Sequence, residues 1–245
     1  MAGAGLEPVV TILHTNDFHG RLSPSKAAFI KALKGEHDAL YFDSGDCIKA
    51  GNLAIPLRPE EAWPLLGEAG CDASVMGNRE THVMEAAFRA KLAGARQPVM
   101  AGNIRTKAGY RPFPGHLLFE KGGLKVGVVG VMVPMVTEGM ATKAASFYLW
   151  DLPIPTALNL GLELREQVDL LVALTHIGFG EDQKLASHDL FDIILGGHSH
   201  TVLEEPVRVG RTWICQGGSM GNFVGKYVWS REAGLAKGEL LGLPA

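Results

Sequence analysis

The chain has 245 residues, 47% hydrophobic and 20% charged, an ordinary globular composition that excludes disorder. A formal net charge of −3 leaves no basic footprint for nucleic acid, so an anionic substrate needs local positive charge such as metal ions. The three cysteines, Cys47, Cys71 and Cys215, are odd in number and unrelated in spacing; they exclude a disulfide framework or zinc knuckle and read as small buried thiols.

Met1-Ala2-Gly3-Ala4-Gly5 has neither a basic n-region nor an apolar h-region, so no signal peptide is read. The expected location is cytoplasmic, or exported where a leader has been removed. Val9 to Leu13 is a short apolar strand ending at His14-Thr15-Asn16-Asp17. Ser23-Pro24 supplies an N-cap and first-turn proline, and Ala27, Phe29, Ile30 and Leu33 follow at helical spacing. Ala39 to Phe42 is the next strand and ends in Asp43-Ser44-Gly45-Asp46. Glu60 to Ala69 reads as a helix that Pro64 kinks or starts. Ala73 to Met76 is a strand stopping at Gly77-Asn78. A helix is predicted from about Thr81 to Ala93, then a strand over Pro98 to Ala101.

In the second half, His116 to Glu120 and Leu124 to Val131 form a predicted hairpin around Lys121-Gly122-Gly123. The apolar run from Val126 to Val136 is interrupted by Gly127, Gly130 and Pro134 and falls short of the about 20 residues of a membrane span. Gly123, Gly127 and Gly130 do not fit a dinucleotide fingerprint; close packing explains the latter two better. Thr156 to Gln167 is helical, Leu170 to Leu174 is a strand feeding His176, and Glu181 to His188 is a short helix. Phe191 to Leu195 is a strand feeding Gly196-Gly197-His198-Ser199-His200. Val207 to Val209, Trp213 to Gln216 and Phe223 to Trp229 are short strands suited to antiparallel pairing, and residues after Ser230 read as a polar, Gly-rich end. Alternating strands and helices followed by an antiparallel tail imply an α/β layered fold with a mixed sheet or two stacked sheets. No linker or repeat interrupts the chain, so a single domain over 1–245 is expected, with its core at about residues 8–230.

Metal-ligand residue types cluster where these strands end: Asp17 and His19, Asp46, Asn78, His176, His198 and His200. Each fragment alone is an ordinary turn or surface pair. Together, oxygen and imidazole donors delivered in order from several strand ends are what a two-metal hydrolase needs. The Asp-x-His and His-x-His pairs are expected to place both side chains on one side of an extended segment.

Leu13-His14-Thr15-Asn16-Asp17-Phe18-His19-Gly20, Asp43-Ser44-Gly45-Asp46, Met76-Gly77-Asn78, Leu174-Thr175-His176 and Gly196-Gly197-His198-Ser199-His200 together resemble the calcineurin-like metallophosphoesterases, in particular their 5′-nucleotidase-like branch. The resemblance runs from about Val9 to Trp229. It implies a four-layer αββα sandwich with mixed sheets and two divalent ions (manganese, iron, zinc or similar) at its rim. Carried over by position, Asp17, His19 and His200 hold the first ion, Asp46 bridges, and Asn78, His176 and His198 hold the second. The implied function is metal-dependent hydrolysis of a small phosphomonoester or phosphodiester, with no nucleic-acid or membrane partner.

The family motif Gly-Asn-His-Glu/Asp continues here as Gly77-Asn78-Arg79, and His82 stands where an aspartate can orient the family's histidine. Arginine stays protonated; it cannot donate a proton efficiently but can stabilise phosphoryl charge. Either Arg79 clamps the phosphate while His82, one helical turn on, supplies any proton, or Arg79 pairs with Glu80 or Glu85 on a solvated face and His82 is a surface histidine. The substitution also leaves open a thiosulfohydrolase-like substrate or a catalytically weak metal-binding scaffold.

Overall fold

The computed structural model describes residues 7–245, so the N-terminal pentapeptide on which the leader reading rests lies outside the described residues. Two six-stranded mixed sheets stack face to face. The first runs β14 (Gly234–Gly242), β13 (Phe223–Ser230), β1 (Val9–Thr15), β2 (Leu40–Asp43), β3 (Ala73–Val75), β4 (Val99–Met100). The second runs β11 (Val207–Val209), β12 (Thr212–Cys215), β10 (Ile193–Leu195), β9 (Leu170–His176), β7 (Leu124–Met132), β6 (His116–Lys121). A two-stranded sheet of β5 (Ile104–Thr106) and β8 (Tyr148–Trp150) was not anticipated from sequence; strands of three residues are too short to leave a period.

Period-two alternation explains the layers. Val10, Ile12, Leu40, Phe42 and Val75 pack between the sheets against Val126, Val128, Val172, Leu174 and Leu195. The opposite residues, Leu13 and Tyr41, face helices α1 (Pro24–Glu36) and α2 (Ala62–Ala69) with Ala27, Ile30, Trp63 and Leu66. On the far side Val129, Val131, Leu171, Ala173 and Ile194 pack with Ala157 and Leu164 of α4 (Pro153–Arg165) and Leu185 of α5 (Phe179–Ala186). The result is the expected αββα sandwich, and strands buried on both faces read as the continuous apolar runs seen in sequence. No helix among the described residues is long and apolar enough to cross a membrane.

Local signals behave as their chemistry requires. Ser23 Oγ accepts the Lys26 N–H at the start of α1. Gly122 (φ 59°) and Gly123 (φ 76°) close the β6–β7 hairpin with two left-handed residues, the conformation of a two-residue type I′ turn. A Cβ on Gly130 would lie 2.6 Å from Met100 Cβ, which makes close packing the reason for that glycine.

Two elements differ from expectation. The segment after Ser230 is not a loose polar end: β14 pairs antiparallel with β13 along its length and buries Leu235 in the core. Its glycines and charges suit an edge strand, and its partner, not its own hydropathy, fixes it. The helix expected from Thr81 begins only with α3 (Glu85–Leu92). The Lys91 ammonium takes the carbonyls of Arg79 and Thr81 at 2.8 and 2.9 Å, and residues 78–81 form a turn closed by Thr81 N–H to Asn78 O.

Candidate metal centre

The sequence-predicted ligands lie at the C-terminal ends of the parallel strands β1, β2, β3, β9 and β10, on the same rim of both sheets. That rim is where open α/β sheets place their ligands. Strand backbone brings the loops there, but the pairs do not converge by extended alternation. Asp17 (φ 53°), His19 (φ 50°), Asp46 (φ 54°), His198 (φ 77°) and His200 (φ 55°) all adopt left-handed backbone. Non-glycine residues held so carry strain that the surrounding structure must maintain, and such strain gathers at functional sites. The expectation that each pair lies on an extended segment is therefore corrected: tight left-handed turns aim both members inward.

The side chains meet. Asp17 Oδ1 lies 3.4 Å from His19 Nε2 and 3.3 Å from His200 Nε2. Asp46 Oδ2 lies 3.4 Å from His19 Nε2, and its Oδ1 lies 3.6 Å from His176 Nε2. Asn78 Oδ1 lies 3.2 Å from His176 Nε2 and 2.9 Å from His198 Nδ1. The donor atoms of Asp17, His19 and His200 fall within 4.8 Å of one another, as do those of Asp17, Asp46 and His176.

Surrounding groups aim these atoms. Asp17 Oδ2 accepts the Asn16 amide at 2.7 Å and the His198 N–H at 2.9 Å, while its Oδ1 is buried without a hydrogen-bond partner. His19 Nε2 is also buried and unpartnered. Polar atoms left so would be costly unless a cation occupies the space between them, and imidazole nitrogen with carboxylate oxygen is a donor set that fits one. His176 Nδ1 lies 2.6 Å from the Ser44 carbonyl oxygen, which only accepts; the ring proton is therefore on Nδ1 and the Nε2 lone pair faces the site. Ser44 Oγ in turn donates to Leu195 O at 2.8 Å, which joins the loop of the first sheet to the second.

Burial opposes ionisation of Asp17, but His19, His176, Asn16 and the His198 N–H outweigh it and lower its pKa. Asp46 is lowered likewise, burial being outweighed by His19, His176 and the Arg79 N–H. Burial works against a charged His19 too, yet the Asp17 and Asp46 carboxylates raise it to about 9. His198 is lowered by burial and by His176.

Arg79 adjoins this cluster. Its backbone N–H donates to Asp46 Oδ1 at 2.8 Å, its Nε stands 3.7 Å from Asp46 Oδ2, and its Nη1 donates to Lys49 O. The surface pairings weighed from sequence do not form: Glu85 pairs with Arg89, and Glu80 is fully buried. Glu80 accepts the backbone N–H groups of Asp46, Cys47, Ile48 and Gly77. Its role was missed because its partners are backbone atoms, which leave no sequence pattern. His82 is neither on the surface nor one helical turn along: it precedes α3, is buried, and its Nδ1 accepts the Met84 N–H at 3.0 Å. Cys47 is a buried thiol against Glu80, and Cys71 and Cys215 are buried and free.

The strand-end clusters, the sandwich and the converging donors meet one known pattern: the family model for calcineurin-like phosphoesterase matches residues 10–202. The chain belongs to that family. It is a hydrolase of the metallophosphoesterase class, in which divalent metals are typical. A 5′-nucleotidase of Vibrio cholerae is 31% identical over 234 residues, covering 81% of this chain and 40% of that protein. In structure, the phosphoesterase resembles the 5′-nucleotidase precursor of Thermus thermophilus at a TM-score of 0.78 and 23% identity, over 96% of this chain and 54% of that one. It matches the sulfate thiohydrolase SoxB of Thermus thermophilus at a TM-score of 0.78 and 20% identity, over 96% and 56%. The chain thus spans 40% of that curated relative's length and about half of each structural neighbour.

Proposed function

We propose that this phosphoesterase hydrolyses a small phosphomonoester or phosphodiester at a centre for two divalent ions, with nucleotide-type esters the first class to test. Asp46 carries the reading: one of its oxygens is directed toward His19 and the other toward His176, an arrangement that suits a bridging carboxylate. Asp17, His19 and His200 would hold one ion, and Asn78, His176 and His198 the other. When bound, two such ions would supply an acidified water and positive charge for the phosphoryl oxygens; manganese, iron and zinc all suit this donor set.

The chain's own residues orient and balance charge. The Ser44 carbonyl holds the His176 ring with its lone pair inward. The Arg79 guanidinium, partly exposed at the rim, would meet phosphoryl oxygens as a fixed positive charge, as arginines do in phosphoryl transfer. It cannot protonate a leaving group. With the Met84 N–H donated to Nδ1, that nitrogen is not free to carry a proton, and the contact opposes the doubly protonated ring that a proton donor at His82 would need.

A second reading, cleavage of a sulfur-linked group, rests on Arg79, because a site without a proton donor suits a leaving group that needs none. The test is turnover of monoesters, diesters and a thiosulfonate with added manganese, for wild type and Asp46→Asn. Ester turnover abolished by Asp46→Asn supports the first reading, and thiosulfonate turnover alone supports the second. Metal uptake without turnover of any substrate overturns both and leaves a scaffold.

A further inference from the structure

Asn78 is the donor in the cluster whose useful atom depends on which way round its amide sits. Its Nδ2 donates to Asn52 Oδ1 at 2.8 Å, and this turns Oδ1 toward His176 and His198. Reversed, the amide would present an NH₂ group, which cannot ligate a cation. Asn52 is exposed, and an exposed amide pair competes with water, so alone it would be a weak constraint.

A second feature stiffens it. The Lys91 side chain is fully buried. Its Nζ lies 2.8 Å from Gly51 O, 3.0 Å from Asn52 O, 2.8 Å from Arg79 O and 2.9 Å from Thr81 O, so its three N–H protons serve four carbonyls with one bond shared. The ammonium thereby ties the segment bearing Asn52 to the segment bearing Asn78 and Arg79. Burying an ammonium is costly, and an apolar side chain would fill the same volume without that cost. The carbonyls it gathers explain the lysine.

We propose that Asn52 is a positioning residue for the second ion: it fixes the Asn78 amide with its oxygen toward His176 and His198, and Lys91 holds Asn52 within reach. This rests on the two-ion reading above. The experiment is a calorimetric Mn²⁺ titration of metal-stripped wild type, Asn52→Ala and Asn52→Asp. Wild type is expected to take up two ions. Asn52→Ala weakens the second by about 10- to 100-fold, the range for outer-shell partners of metal ligands, and leaves the first unchanged. Asn52→Asp can only accept, keeps the Asn78 amide the same way round, and retains the second ion. Two ions bound by Asn52→Ala with wild-type affinities, or equal weakening of both, overturns the inference while leaving the two-ion reading intact. A wild type that binds fewer than two ions overturns both.

Discussion

Glu80 accepts the backbone N–H of Asp46 at 2.9 Å through Oε2, and that same oxygen accepts the N–H of Gly77 at 2.8 Å. One buried carboxylate thus joins the turn that carries the candidate bridging aspartate to the turn that carries Asn78. Glu80→Gln would put an NH₂ group against backbone donors and leave buried N–H groups unpaired. It should destabilise the fold by roughly 2–6 kcal/mol, at about 1–3 kcal/mol for each of the two N–H groups left unpaired. Urea unfolding of the metal-free variant measures this. A loss comparable to that of an exposed substitution would mean that the cradle is dispensable.

His19 provides a pH test. Its folded pKa of about 9 lies above its ordinary value because it sits between Asp17 and Asp46. Its contribution to the stability of the metal-free protein is therefore fully present below the ordinary histidine value of about 6.5 and is lost as pH rises through the folded value. A cation must displace that proton, so metal uptake at neutral pH should release one proton from His19, and affinity should rise with pH until His19 is neutral. Manganese calorimetry in two buffers of different ionisation enthalpy reads the proton directly; buffer-independent heats would contradict the assignment.

Asp182 has the same sign of pH dependence in a lower window. It is fully buried, Thr175 Oγ1 donates to its Oδ1 at 2.7 Å, and its Oδ2 has no partner. Burial pushes its pKa up to about 7. From its ordinary value up to that point the folded protein keeps a proton that the unfolded chain has lost, so stability from this group falls as pH rises through the window. Asp182→Asn removes the titration. Relative to wild type, the variant should gain on the order of a few kcal/mol between about pH 4 and about pH 8, measured by denaturant unfolding at both. A flat difference would show that Asp182 is already ionised in the fold.

Arg79 acts through two separable groups. Its backbone N–H holds Asp46, and only its side chain faces outward at the rim. Arg79→Ala should leave metal uptake unchanged and lower kcat/KM on phosphoesters by about 100-fold, the scale for one charge-stabilising group. Arg79→His restores a proton donor and should favour esters with poor leaving groups relative to wild type. Equal responses of good and poor leaving groups would remove leaving-group chemistry from the account of this position.

The strands that bear the site were legible because they are buried on both faces and so read as apolar runs: Leu170 to Leu174 and Leu124 to Val131 match β9 and β7. The last strand was not legible, because Gly234 to Gly242 is held by its pairing with β13. The start of α3 was misplaced because the carbonyls of Arg79 and Thr81 bind a lysine ten or more residues away, which no local propensity registers.

The sequence by itself determined the donor types, their order at strand ends, the layered architecture and the replacement of the family's histidine by Arg79. These are properties of residue identity and local period. The tertiary structure decided how the donors meet: left-handed turns aim Asp17, His19, Asp46, His198 and His200, a Ser44 carbonyl sets the His176 tautomer, and Glu80, Asn52 and Lys91 lock the turns. Those interactions run mostly through backbone amides and carbonyls, which every residue carries alike, so only folding shows which of them a side chain will find.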